Sequence, residues 1–191
     1  MGFQGDDRPR RRTFNIPGHA HELTFSLYHK YPFLKAERTC FWLAEAIQAA
    51  RQSHDFALWA YVFMHDHVHM IVQPRCPSYE IASILHSIKR PVSRLAVKYL
   101  AEHSPEWLER MTRQRGGRSE RHFWQPGGGC DRNIDEPRTL WRMIDYIHLN
   151  PVRRRLVDCV ADWRWSSAAW FQGEGTNSLD PDPIPPEWAN E

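Results

Sequence analysis

The 191-residue chain is 41% hydrophobic and 13% aromatic, enough to bury one core and too short for two comfortable domains. No apolar run approaches the roughly 20 residues that span a bilayer, and the start, Met1 to Arg12, has no apolar signal core, so a membrane partner is not expected and a cytoplasmic protein is. The formal charge of +2 is polarised: residues 1–173 hold all 25 Lys and Arg and 18 of the 23 acids, a net +7 whose clusters read as solvated surface or as a nucleic-acid face, while Cys40, Cys76, Cys130 and Cys159 form no C-x-x-C pair and argue against a zinc knuckle or redox dithiol.

Residues 1–18, rich in Arg and broken by Pro9, Pro17 and Gly18, predict a flexible basic arm. From His21 to Tyr28, Leu23, Phe25 and Leu27 alternate with Thr24 and Ser26, the pattern of a strand with one buried face. Leu43, Ala46, Ile47 and Ala50 recur at helical spacing between Arg38 and His54. Ala57–Met64 and His67–Gln73 are β-branched and aromatic runs separated by His65-Asp66, which predicts a tight hairpin ended by Pro74 and Pro77. Residues 78–100 read as a helix that Pro91 should kink or split. Arg110–Arg121, with Gly116-Gly117 inside, reads as a mobile basic loop, and His122–Gln125 as a short strand ended by Pro126 and three glycines. Asp135–Asn150 is a second long helix, with Pro137 in its first turn, Leu140, Ile144 and Ile147 as its apolar stripe, and Pro151 closing it. Residues 174–191, acidic and rich in proline, predict an extended tail that stays off the core, either a solubilising tail without contacts or a weak inhibitor that competes with phosphates for the basic body. The order implies an α+β fold, an antiparallel sheet with packed helices similar to the ferredoxin-like split motif, in one domain over residues 19–173 between the arm and the tail.

Two short constellations carry candidate chemistry. His67 and His69 lie two apart on a strand, so both imidazoles share one face and Val68 takes the other; two such nitrogens on a rigid hairpin suit one metal ion, or simply a solvated strand face. Tyr146 and Asn150 lie one helical turn apart, opposite the apolar stripe, as a projecting hydroxyl and amide or as a helix-edge Tyr and the Asn that stops the helix before Pro151.

Taken together, Tyr61-Val62-Phe63-Met64-His65-Asp66-His67-Val68-His69-Met70-Ile71-Val72 resembles the HUH signature strand pair of single-tyrosine transposases. Tyr146-Ile147-His148-Leu149-Asn150-Pro151-Val152-Arg153 resembles their nucleophile helix. Phe123-Trp124-Gln125, Asp131-Arg132-Asn133-Ile134 and Trp165-Ser166-Ser167 are similar to further family segments, so the likeness runs from about Gly18 to Phe171. Within the family it is to the REP-associated tyrosine transposases, which act on repeated DNA hairpins. The resemblance implies an HUH endonuclease fold and a divalent ion, Mg2+ or Mn2+, held by His67, His69 and Asn150. It also implies that Tyr146 attacks the scissile phosphate to give a 5'-phosphotyrosyl link that a 3'-hydroxyl later reverses. Two departures stand out: His65-Asp66 where the family often has Pro-Asn, and Gly127-Gly128-Gly129 in place of bulkier residues.

Recognition of single-stranded or hairpin DNA is then expected from Lys89, Arg90 and Arg94, from Arg113, Arg115 and Arg118, and from the arm, with Trp124 as a stacking platform. Such a protein would be nucleoid-associated and a monomer or homodimer. The alternatives are a nickase that uses the same chemistry without transposition and a domesticated hairpin-binding protein without transposition activity. A zinc hydrolase is disfavoured by the absence of an H-E-x-x-H array.

Overall fold

The computed structural model of the protein describes residues 15–174 and 179–189, so the basic arm lies outside the described residues up to position 14. Its centre is a four-stranded antiparallel sheet in the order β2-β3-β1-β6, built from β1 (Ala20–Ser26), β2 (Phe56–Phe63), β3 (His67–Pro74) and β6 (Cys130–Ile134). With α1 (Glu37–His54) between β1 and β2, and α2 (Ile81–His103) between β3 and β6, this is the ferredoxin-like arrangement. Leu23, Phe25, Val68, Met70 and Val72 point from the sheet to one face, where Leu43 and Ile47 of α1 and Ile84, Leu85 and Ile88 of α2 bury them. The opposite face carries Ala57, Trp59, Val62 and Ile71 against Leu140, Ile144 and Ile147 of a later helix, α4 (Pro137–His148). Covering both faces explains why every residue of β2 is buried and why that strand shows no polar alternation. Met64 N donates to His67 O at 2.8 Å, leaving His65-Asp66 as the two-residue turn.

Four expectations are corrected. Helix α2 is not split at Pro91, because Ile84, Leu85 and Ile88 before it and Val92, Ala96 and Leu100 after it bury in one core, and that packing outweighs the lost backbone bond. After the short α3 (Glu106–Arg110), the basic segment is no loop: β4 (Thr112–Arg115) and β5 (Arg118–Arg121) form a hairpin, since Gly116 and Gly117 adopt φ of 54° and 77°, the doubly positive turn that matches strand twist. His122–Gln125 forms only a single bridge, Leu27 to Trp124, and the strand comes after the glycines, where Cys130–Ile134 pairs with β1. Gly129 passes so close to β1 at φ 84° that a Cβ would collide with the Thr24 carbonyl oxygen, which accounts for a glycine at that place in the run. Gly129→Ala is expected to cost about 1–3 kcal/mol, read as a lower urea midpoint.

The fourth correction concerns the acidic tail. Edge strand β2 presents unpaired backbone groups, and the C-terminal chain satisfies them: Phe63 N donates to Trp165 O (2.8 Å), Ser167 N to Tyr61 O (3.0 Å) and Asp182 N to Leu58 O (2.7 Å), while Leu58 N donates to Asp182 Oδ2 (2.8 Å). Asp182 also accepts from Arg51 (2.7 Å) and Arg75 (3.1 Å), and Leu179 and Trp188 are buried, Trp188 edge-on to Trp59 at 5.2 Å. The described part of the tail, residues 179–189, is therefore packed on the body as an edge cover, not held off it. Trp188→Ala should lower unfolding free energy by about 3 kcal/mol, measured by urea titration; an unchanged midpoint would mean the cover contributes nothing.

Candidate active site

Helix α4 begins at Pro137, where a missing N–H costs nothing, and buries Leu140, Ile144 and Ile147, so Tyr146 is turned outward with 42% of its surface exposed. Below it on β3, His67 and His69 share a face with ring centroids 4.9 Å apart, and the His69 ring lies 6.0 Å from that of Tyr146 at 88°. Strand period and helix face thus bring together three of the four residues that the sequence singles out.

Each imidazole is fixed through Nδ1. His67 Nδ1 donates to Asp66 Oδ1 at 2.6 Å, and His69 Nδ1 donates to Glu22 Oε1 at 2.9 Å. Thr24, directly across the strand pair from His69, places its hydroxyl 2.8 Å from the same nitrogen and donates to Glu22 at 2.5 Å. No hydrogen bond reaches either Nε2 among the described residues. Burial, against the opposing hydrogen bond to Asp66, pushes the His67 imidazole down to about 4, so it is neutral at physiological pH. Although burial raises it, the Asp66 carboxyl is held below the usual carboxylate range by the hydrogen bond from His67 and by Lys30 and Arg154. A neutral imidazole with Nδ1–H on a carboxylate offers its Nε2 lone pair, the arrangement of metal-binding histidines.

Asn150 opens the short α5 (Asn150–Arg153), and its amide nitrogen donates to the carbonyls of Tyr146 (2.9 Å) and Ile147 (3.3 Å). The helix-stop reading therefore describes what its nitrogen does, while the amide oxygen keeps its lone pairs. No group of three or more His, Cys, Asp or Glu side chains able to hold a metal occurs among the described residues. The two imidazoles that share the β3 face are nitrogen donors of a kind that suits a divalent ion whose remaining positions are filled by oxygen ligands. His148 points away from the nucleophile: buried, bonded to Ser167 Oγ at 2.8 Å and pushed down to about 4 by burial, it belongs to the core.

One expected DNA contact is corrected by burial. Trp124 is enclosed edge-on to Phe25 and Phe123, with its indole N–H donating to Lys89 O at 2.9 Å, so no base can stack on it. The Lys89 ammonium donates to Gly127 O at 3.0 Å and is held below the ordinary lysine range by burial, a tie across the glycine run. Arg90 and Arg94 are exposed on α2, Arg113 and Arg118 on the β4–β5 hairpin, and Arg115 ends β4. No hydrogen bond or ring contact joins Arg90, Arg94, Arg113 or Arg118 to His67, His69 or Tyr146 among the described residues.

Sequence reasoning missed the groups that orient the histidines. In the sequence Asp66 shows only as a turn residue although it precedes His67, and Glu22 and Thr24 show as the polar face of β1 only once its register against β3 is known. It also missed that the Arg153 guanidinium lies over the Tyr146 ring, 5.1 Å from its centroid.

Residues 19–150 match the family model described as IS200-like transposase. A solved structure of a REP-associated tyrosine transposase bound to a REP hairpin is similar to this chain with a TM-score of 0.68 at 19% identity, covering 96% of this chain and 98% of that one. A putative transposase from Deinococcus radiodurans R1 is similar at 18% identity with a TM-score of 0.46, over 72% of this chain and 95% of that one. No curated protein sequence matches significantly. The first of these likenesses shows the fold.

Proposed function

The chain belongs to the IS200-like transposase family, and from that premise we propose that it cuts and rejoins single-stranded DNA beside hairpin-forming repeats through a covalent bond to Tyr146. The observation that carries this reading is the pair of imidazoles clamped through Nδ1 by Asp66 and Glu22, with free Nε2 atoms next to an exposed tyrosine. Tyr146 Oη attacks phosphorus, the new P–O bond forms as the bond to the 3'-oxygen breaks, and that oxygen leaves as a 3'-hydroxyl on taking a proton from solvent. The phenol gives up its own proton in the same step. Because the phosphodiester energy is kept in the 5'-phosphotyrosyl link, attack by a 3'-hydroxyl restores a DNA strand and returns the proton to Tyr146, with no nucleotide cofactor consumed.

His67, His69 and the Asn150 oxygen are the residues that would hold a divalent ion, Mg2+ or Mn2+. When bound, such an ion supplies a positive charge at a nonbridging oxygen of the scissile phosphate. The chain's own contribution is to keep His67 neutral, to lock both rings by the carboxylates and to present Tyr146 on a helix fixed by its apolar stripe. Hairpin DNA as the substrate is supported by the fold shared with a protein solved on a REP hairpin and by the net +7 of residues 1–173. A strand-joining assay tests the reading: two hairpin-bearing strands of different length, incubated with protein and Mn2+, should yield recombinant lengths as well as nicks. Binding without either product would leave a hairpin-binding protein.

The exposed Arg113 and Arg118 of the β4–β5 hairpin are proposed to touch phosphates. Affinity for single-stranded hairpins should fall with salt at a slope of about −0.7 per neutralised phosphate, and replacing both arginines with Ala should flatten the log–log plot by about one to one and a half units. An unchanged slope, measured by fluorescence anisotropy between low and physiological salt, would mean the β4–β5 hairpin faces away from DNA.

A further inference from the structure

A cleft of about 430 Å³ lies against Tyr146, between the solvent side of α4 and edge strand β6, and Arg132, Arg142 and Arg153 line it. None of the three has a carboxylate partner among the described residues, whereas Arg51, Arg75, Arg154 and Arg164 each have one. Arg153 lies over the Tyr146 ring and Arg132 reaches only the Met143 sulfur at 3.7 Å. Three guanidiniums without an ion pair, gathered on one concavity with a single carboxylate, Asp145, leave it net positive and make a site for an anion.

The rest of the lining narrows the anion's identity. Met143 and Leu149 give the cleft apolar wall, which inorganic phosphate has no use for and a base does. Asp145 adds one carboxylate, which repels a phosphate but accepts from the exocyclic amine of cytosine, adenine or guanine. The volume is that of a small-molecule site, enough for one nucleotide and not for a base pair with both its backbones.

Resting on the tyrosine-nuclease reading above, the geometry points to this cleft as a subsite for one unpaired nucleotide flanking the scissile phosphate. Arg132, Arg142 and Arg153 hold its backbone, and Asp145 selects a base that bears an amine. The subsite separates two demands: the hairpin is bound elsewhere, and the cleft draws the single strand leaving it across Tyr146. Arg153 is in addition a positioning residue, because its guanidinium touches both the cleft and the nucleophile's ring.

The test uses full-length Tyr146→Phe protein, which cannot cleave, and three DNAs: a bare hairpin, and the same hairpin with ten-nucleotide single-stranded flanks of dC or of dU. The dC flanks should tighten binding at least about tenfold over the bare hairpin, and the added substitutions Arg142→Ala and Arg153→Ala should remove that gain while bare-hairpin affinity changes less than about twofold. Asp145→Ala should erase the preference for dC over dU. A flank gain that survives loss of both arginines, or an equal fall for bare and flanked DNA, overturns the subsite. Equal affinity for dC and dU in the Tyr146→Phe protein overturns the base contact. Failure of that protein to bind any of the three DNAs would instead defeat the hairpin-nuclease reading.

Discussion

Tyr146→Phe is expected to abolish strand cleavage, by at least about a thousandfold, while hairpin DNA is bound within about twofold of wild type. Only one oxygen is removed. The ring that packs at 6.0 Å from His69 and beneath the Arg153 guanidinium remains, and the helix that carries it is anchored by Leu140, Ile144 and Ile147. Loss of activity with retained binding therefore isolates the nucleophile from the scaffold. Labelled hairpin DNA on a denaturing gel measures cleavage, and anisotropy measures binding. Cleavage near the wild-type rate would remove Tyr146 from the chemistry altogether.

His67→Ala and His69→Ala are expected to lower cleavage by about a hundredfold or more and to weaken Mn2+ binding in parallel, each deleting one imidazole donor from a set with few others. Raised Mn2+ should restore part of the activity in both, because mass action compensates for a lost ligand and not for a lost nucleophile. Glu22→Gln should do less, about 10- to 100-fold, since it loosens the His69 ring without removing it. Isothermal calorimetry with Mn2+ separates the cases. Unchanged ion affinity in both histidine variants would place the ion elsewhere, and an effect of Glu22→Gln larger than that of His69→Ala would give Glu22 a direct part.

How far the sequence carried the fold follows from which signals are local. The period of two in β1, the hairpin spacing around His65-Asp66 and the period of 3.6 in α1 and α4 are local, and they yield most of the sheet and its helices. Cys-Asp-Arg-Asn-Ile has almost no apolar pattern, and it is a strand only because β1 offers an edge to pair with. The Gly116-Gly117 pair suggests looseness by composition, yet two consecutive positive-φ residues are what a tight hairpin needs. The tail was read from proline and acid content, which says nothing of the open edge of β2 that Asp182 and its neighbours cover.

The candidate site divides the same way. His67 with His69, and Tyr146 with Asn150, fall on common faces by arithmetic within one element. Glu22 meets His69 across 47 residues, which no single-element pattern reveals. Aromatic type is no guide at Trp124, where burial rather than residue type decides what the side chain does. The arginines at 132, 142 and 153 come from three separate elements and become a set only in the folded chain.

The central claim is a bond between Tyr146 and a DNA 5'-phosphate. Wild-type protein should be incubated with hairpin DNA bearing single-stranded flanks and Mn2+, digested with protease and nuclease, and its peptides mapped by mass spectrometry. The account predicts that the peptide containing Tyr146 carries a nucleotide joined through its 5'-phosphate and that the Tyr146→Phe protein gives none. Cleaved DNA with no peptide adduct, or an adduct on any other residue, would contradict it.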